Sequence, residues 1–379
     1  MTTAPTLFTP FQVKDLILKN RITMTPLYLG YANPDGTVST LLLDHYREMA
    51  ASGASLIVVE NAAVDPIGSG SPFTLRIDED RFLTGLSDLA KTIHREGAMA
   101  FLQLNHTGRY AYVPERIAPS PVESFLGTPR EMNENDIDRA IQAFATSALR
   151  AKEAGFDGVE IHGGTGYLIV QFLSPRTNKR NDAYGGPLEN RMRFPLRLVE
   201  AVMAAVGPDF PVGYRFLADE WLPEGLHPEE TKVLAGQLEK RGVAYLSVMA
   251  GTYDSFFLPE YLNEDKKEGY MVPFAHRIKK AVQRTPVIAA GRIQTPESAG
   301  RILEENQADL IGLARVLFAD PLWPKKAEGI LAGPIVACEP SCSLCMGRVA
   351  TGKPAFCSQW DRARQRRFLE RIGEKQEKA

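Results

Sequence analysis

A chain of 379 residues is long enough for two domains or one large α/β barrel, and 44% hydrophobic with 24% charged residues is the make-up of an ordinary soluble globular protein, not a disordered or fibrous one. Its formal net charge of −2 provides no basic field for nucleic acid or an anionic membrane, which leaves a small-molecule substrate held by local charges. No apolar run approaches the roughly 18 residues of a membrane span, and Met1-Thr2-Thr3-Ala4-Pro5 has no signal-peptide pattern, so a cytoplasmic location is expected.

In chain order, residues 7–15 predict a small hairpin under a barrel floor, and then short apolar β-branched runs alternate with longer amphipathic ones. The predicted strands are 21–26, 55–61, 98–104, 157–162, 211–216, 244–249, 286–290 and 309–314. Each is followed by a predicted helix: 41–52, 82–96, 133–154, 188–206, 228–241, 272–284, 296–305 and 323–331. Eight strand–helix units read as an α/β fold, a (β/α)8 TIM barrel over residues 1–333, with a four-cysteine segment and tail at 334–379. An open doubly wound sheet is the competitor, but the first strand lacks the GxGxxG turn such a sheet uses for a dinucleotide. The long loops 107–130 and 251–269 follow strands three and six; on the catalytic face of a barrel they read as substrate lids. The charged tail from Asp361 reads equally as a surface or interface helix or as a disordered segment.

Chemistry concentrates at the strand ends. The stretch Gly158-Val159-Glu160-Ile161-His162-Gly163-Gly164-Thr165-Gly166-Tyr167 closes an apolar strand with an imidazole, and a phenol lies five residues on, past three glycines. Strands seven and eight end in Ala290-Gly291-Arg292 and Ala314-Arg315, small residues beside arginines at the barrel position that commonly binds phosphate. Thr25, Tyr28, Asn61, Gln103, His106, His162 and Arg215 complete a polar lining in which Arg215 would stabilise negative charge on a flavin pyrimidine. Cys338, Cys342, Cys345 and Cys357 share one short window and none precedes it, a pattern of local ligation and not of a disulfide framework. Four such thiolates suit either a [4Fe–4S] cluster or tetrahedral zinc.

These residues resemble the Old Yellow Enzyme family of FMN-dependent ene-reductases over essentially the whole chain. The resemblance is carried by Leu7-Phe8-Thr9-Pro10, Leu18-Lys19-Asn20-Arg21-Ile22, Gln103-Leu104-Asn105-His106-Thr107-Gly108-Arg109, Ala154 through His162, Gly166-Tyr167-Leu168, Phe172-Leu173-Ser174-Pro175, and Tyr184-Gly185-Gly186 with Glu189-Asn190-Arg191. It implies that Thr25, Pro26 and Leu27 flank the isoalloxazine with Asn61 nearby, that Gln103 and Arg215 bind the pyrimidine edge, and that Gly291, Arg292, Ala314 and Arg315 hold the FMN phosphate. Tyr167 then matches the family's proton donor. Two departures stand out: Thr165 replaces the second His or Asn that would grip a substrate carbonyl with His162, and bulky Tyr28 stands near the position of flavin N5. The cysteines resemble those of the iron–sulfur branch that includes 2,4-dienoyl-CoA reductase and trimethylamine dehydrogenase, although C-x3-C-x2-C-x11-C displaces the second ligand by one.

The expected activity is reduction of an activated C=C bond, with hydride from the flavin, His162 or Thr165 on the carbonyl and a proton from Tyr167. Electrons come from NAD(P)H directly or, through the cluster, from a separate electron-donating flavoprotein; a homo-oligomer is left open. The alternatives are an amine dehydrogenase with Tyr28, Tyr253 and Phe256 caging a cation, and a flavin and cluster redox protein with no substrate of its own.

Overall fold

Eight short parallel strands close on themselves in the computed structural model, which describes residues 4–374. The first three residues of the stretch read for a signal peptide, and 375–379 of the cysteine segment and tail, lie outside the described residues. The barrel strands are β1 (Ile22–Met24), β2 (Leu56–Ala63), β3 (Met99–Asn105), β4 (Gly158–Gly163), β5 (Val212–Leu217), β6 (Leu246–Met249), β7 (Val287–Ala289) and β8 (Leu310–Leu313). Each pairs in parallel with the next, and β1 pairs with both β8 and β2, so the ring is complete. This is the expected (β/α)8 barrel.

The helices between them are α1 (Thr40–Ala51), α2 (Leu83–Arg95), α3 (Glu134–Glu153), α4 (Leu188–Val206), α5 (Pro228–Arg241), α6 (Val272–Lys279), α7 (Pro296–Glu304) and α8 (Trp323–Glu328). Local chemistry sets their ends. Asn133 and Asp136 cap α3 reciprocally, each side chain accepting the other's backbone N–H at 2.9 and 3.0 Å. α8 stops three residues short of the predicted 331 because Gly329 turns left-handed at φ 82°. α6 stops at Lys279, short of the predicted 284, and the Glu239 carboxylate takes the backbone N–H groups of Gln283, Arg284 and Thr285 into a turn at 2.9, 2.7 and 3.0 Å.

The strands are buried on both faces, as parallel barrel strands must be. Their outward side chains share one large core with the helices. Inside the barrel floor Leu56, Val58, Phe101, Tyr245, Ile288 and Leu310 pack against Val13 and Leu18 of an antiparallel hairpin, Phe11–Val13 with Leu16–Leu18. The hairpin thus lies a few residues later than predicted, and plugs the end opposite the site. Each such side chain withdrawn from water contributes roughly 1.5–3 kcal/mol before conformational entropy is counted.

The two long loops carry structure of their own. The loop after β3 holds the paired strands Ile117–Ala118 and Arg130–Glu131, and the loop after β6 holds the helix Pro259–Glu264. After α8 the cysteine segment packs directly on the barrel: Ala355 N–H donates to Leu29 O at 2.9 Å, Tyr31 Oη donates to Ala355 O at 2.5 Å, and Trp360 Nε1 donates to Phe318 O at 2.8 Å. The tail forms the helix Arg362–Arg371, which buries Phe368 and Leu369 and pairs Arg364 with Glu48 and Arg371 with Asp44 on α1.

Candidate active site

The C-terminal ends of the strands meet in a cavity of about 140 Å3 that opens to solvent, lined by Thr25, Pro26, Arg215, Tyr270, Met271, Ala290, Gly291, Arg292, Ile293, Gly312, Ala314, Arg315, Val316 and Cys338. Seven of the residues read as cofactor-binding are among them. Two arginines dominate its far end. Gly291 bends away from β7 at φ 101°, where any Cβ would come within 2.7 Å of Met271, and Arg292 follows at φ 57°, a left-handed conformation that a non-glycine residue holds only under constraint. The constraint is visible: Arg292 Nε donates to Asp265 O at 2.6 Å and its Nη1 to Cys338 O at 3.3 Å. The Asp265 carboxylate sits between both guanidinium groups, 3.0 Å from Arg315 Nη2 and 3.4 Å from Arg292 Nη2. Two guanidinium groups meeting one anionic side chain in a glycine-lined cradle is the donor set that a phosphate monoester requires.

On the other side of the cavity Arg215 is held by a hydrogen bond from Nη1 to Ser247 Oγ at 2.7 Å, and β5 places it in register beside His162 of β4. Gln103 is buried within the barrel and donates from Nε2 to Glu160 Oε1 at 2.7 Å. Glu160 is itself fully buried; burial drives its carboxyl above the ordinary range and the Arg215 charge opposes this. Leu27, Asn61 and Gln103 do not line the cavity itself, though all are buried at the same end of the barrel. His106 turns aside: its Nδ1 accepts the Gly108 N–H at 3.0 Å and its ring packs on Gly68.

Beside this space stands a group of phenols. His162 and Tyr167 meet edge to face with ring centroids 5.1 Å apart, and Tyr167 Oη lies 3.0 Å from Tyr253 Oη. Thr165, in a left-handed conformation at φ 60°, brings its hydroxyl to 3.5 Å from His162 Nε2. His162 Nδ1 is buried without a partner. Burial, with the Arg215 charge second, pushes the imidazole down to about 3, so it is neutral at physiological pH and can donate one N–H without carrying charge. Burial, and next Tyr253, raises the Tyr167 phenol well above its ordinary value, which keeps its proton on. Tyr28 hydrogen-bonds Ser71 and is likewise raised by burial. Tyr270, Asp265, Ser247 and Glu160 escaped the sequence reading as members of the site. Only Glu160, a lone acid in an apolar strand, carried a signal.

All four cysteines line a second, small cavity of about 10 Å3, together with Arg315, Phe318, Glu339, Ser358 and Gln359. Arg315 and Cys338 belong to both cavities. Ser358 Oγ is 3.0 Å from Cys342 Sγ, and the Gln359 N–H donates to Cys357 Sγ at 3.4 Å. No group of three or more His, Cys, Asp or Glu among the described residues converges as a single metal ion would demand. Among the described residues no helix is long and apolar enough to cross a membrane.

Residues 6–332 match the model of the "NADH:flavin oxidoreductase / NADH oxidase family". An NADH oxidase of Thermoanaerobacter brockii is 44% identical over 357 residues, covering 92% of this chain and 54% of that protein, so the chain spans about half the length of that relative. An NADPH dehydrogenase of Halalkalibacterium halodurans is 39% identical over 324 residues, 85% of this chain and 93% of that one. Among solved structures, 2-naphthoyl-CoA reductase in complex with 2-naphthoyl-CoA superposes with a TM-score of 0.90 at 29% identity, covering 94% of this chain and 57% of that one.

Proposed function

Since the chain belongs to the NADH:flavin oxidoreductase / NADH oxidase family, the Old Yellow Enzyme family of FMN-dependent oxidoreductases, we propose that it reduces an activated C=C bond conjugated to a carbonyl. The observation that carries this reading is the pairing of a neutral His162, one ring nitrogen free, with a protonated Tyr167 against it at 5.1 Å between ring centroids. A neutral imidazole polarises a carbonyl oxygen by donating a hydrogen bond, with Thr165 Oγ1 available as a second donor in place of a second ring. Tyr167 holds the proton for the α-carbon.

Arg292, Arg315 and the Gly291 backbone would hold the FMN phosphate, and Arg215 with Gln103 its pyrimidine edge. FMN when bound supplies the hydride for the β-carbon. Arg215, half-buried beside neutral His162, would supply the fixed positive charge the cofactor's pyrimidine calls for. The family's nicotinamide donors make NADH or NADPH the source of electrons. For the cysteines we propose an iron–sulfur cluster over zinc, because their spacing resembles that of the family's iron–sulfur branch and all four face one small cavity.

The test is stopped-flow of the two half-reactions with cyclohex-2-enone as acceptor. Tyr167→Phe should retain FMN and its reduction by NAD(P)H while enone-driven reoxidation slows roughly 10²–10⁴-fold. Equal slowing of both half-reactions, or of neither, refutes the assignment of the acid.

A further inference from the structure

Tyr253 belongs to the long loop after β6, which is tied to the turn after β4. Thr252 forms an isolated parallel bridge with Thr165, and Tyr253 N–H donates to Thr165 O at 3.3 Å, so the loop is stitched to the turn that carries Tyr167. Its ring is wedged edge to face between Tyr110 at 5.0 Å and Phe256 at 5.9 Å. The one polar atom on that ring lies 3.0 Å from the Tyr167 hydroxyl. Tyr253, like Tyr167, is partly exposed, whereas His162 on the inner side of the pair is buried.

We propose that Tyr253 is a positioning and relay residue for Tyr167: it aims the Tyr167 hydroxyl and returns a proton to it during turnover. This rests on the assignment of Tyr167 as the acid. When the α-carbon takes the Tyr167 proton, the substrate's carbanion pair forms the new C–H bond and the O–H pair stays on the Tyr167 oxygen. A phenolate there, half-buried against His162 and Tyr253, is costly, since desolvation already holds the phenol well above its ordinary value. The Tyr253 O–H donates to that oxygen, its proton crosses, and water at the mouth reprotonates Tyr253. The net proton comes from solvent, and nothing is oxidised or reduced in the relay.

Tyr253→Phe keeps the ring and its packing and removes only the hydroxyl, so FMN stoichiometry in the purified variant reports folding. Loss of a hydrogen bond to a developing phenolate should slow single-turnover reoxidation by cyclohex-2-enone about 10–100-fold. A purely structural residue would not change how many protons move. The proton inventory in mixed H2O and D2O should therefore be curved in the wild type, with two protons in flight, and linear in Tyr253→Phe. Tyr167→Phe combined with Tyr253→Phe should be no slower than Tyr167→Phe alone. If Tyr167→Phe is slow while Tyr253→Phe keeps the wild-type rate, or slows with a curved inventory, the relay is wrong and the acid assignment stands. If Tyr167→Phe itself keeps the wild-type rate, the assignment of the acid fails and the relay with it.

Discussion

Arg315→Ala is the sharpest test of where the cofactor phosphate sits. In the folded chain this guanidinium is mostly shielded, its side chain 27% exposed, and it reaches Asp265 at 3.0 Å while bordering both the phosphate cradle and the cysteine cavity. Truncation removes a charge-assisted contact to phosphate worth about 1.5–3 kcal/mol, and leaves Asp265 with only the longer 3.4 Å contact to Arg292. The uncovered carboxylate would then repel the phosphate, so the effect belongs at the upper end: FMN affinity should fall about 100-fold. The pair with Asp265 is itself worth at most about 1 kcal/mol to folding at that exposure, so the variant should fold. The assay is titration of deflavinated protein with FMN, followed by quenching of flavin fluorescence. Asp265→Asn in the same background should recover part of the loss by removing the repulsion. Wild-type affinity in Arg315→Ala would refute the placement of the phosphate between strands β7 and β8.

Three further outcomes follow from the geometry. Anaerobically purified protein should contain about four iron and four acid-labile sulfide per chain, and Cys342→Ser or Cys345→Ser should each lose the whole centre; stoichiometric zinc without sulfide would replace the cluster with a single tetrahedral ion. Glu60, fully buried on β2 with both carboxylate oxygens unpartnered, is raised by burial from 4.5 to about 8. A raised carboxyl contributes stability that is complete below pH 4.5 and lost as pH climbs through 8, about 5 kcal/mol at most, so urea unfolding should show the wild type losing stability relative to Glu60→Gln between those limits, and parallel curves would contradict it. The imidazoles of His45 and His162, both held near 3 by burial, predict the opposite slope on the acid side: stability should drop as pH falls below 6.5, and His45→Phe should flatten that decline.

The barrel was legible because its signal is repetitive. Parallel strands covered on both faces read as apolar runs, and the helices between them show a 3.6-residue period, so eight repeats reinforce one another even where single ends miss. The misses have local causes. The predicted extension of α6 to 284 fails because Glu239, forty-odd positions upstream, draws residues 283–285 into a turn, a contact that no window along the chain contains. The hairpin was displaced for a related reason: its second strand, Leu16–Leu18, owes its place to the barrel floor it plugs, through Leu18 against Val58 and Leu310.

The site divides along the same line. Residues at strand ends, such as His162, Arg215, Gly291 and Arg292, could be located because a strand fixes where its last side chain points, and a glycine beside an arginine at that point has few other uses. Residues that enter from loops could not. Asp265 lies in a charged run, Glu264-Asp265-Lys266-Lys267-Glu268, where an acid normally faces water; what selects it is the approach of the helix Pro259–Glu264 to the ends of β7 and β8. Tyr253 could be read as one ring of a cation cage, yet its hydroxyl faces Tyr167, and that direction follows from the bridge between Thr252 and Thr165. Thr165, at a left-handed φ of 60°, is one side of that bridge, so the residue that breaks the family's two-ring pattern at the carbonyl site also meets the loop after β6. A substitution there that restored a second imidazole, Thr165→His, should therefore alter the carbonyl contact and the seating of the loop after β6 together.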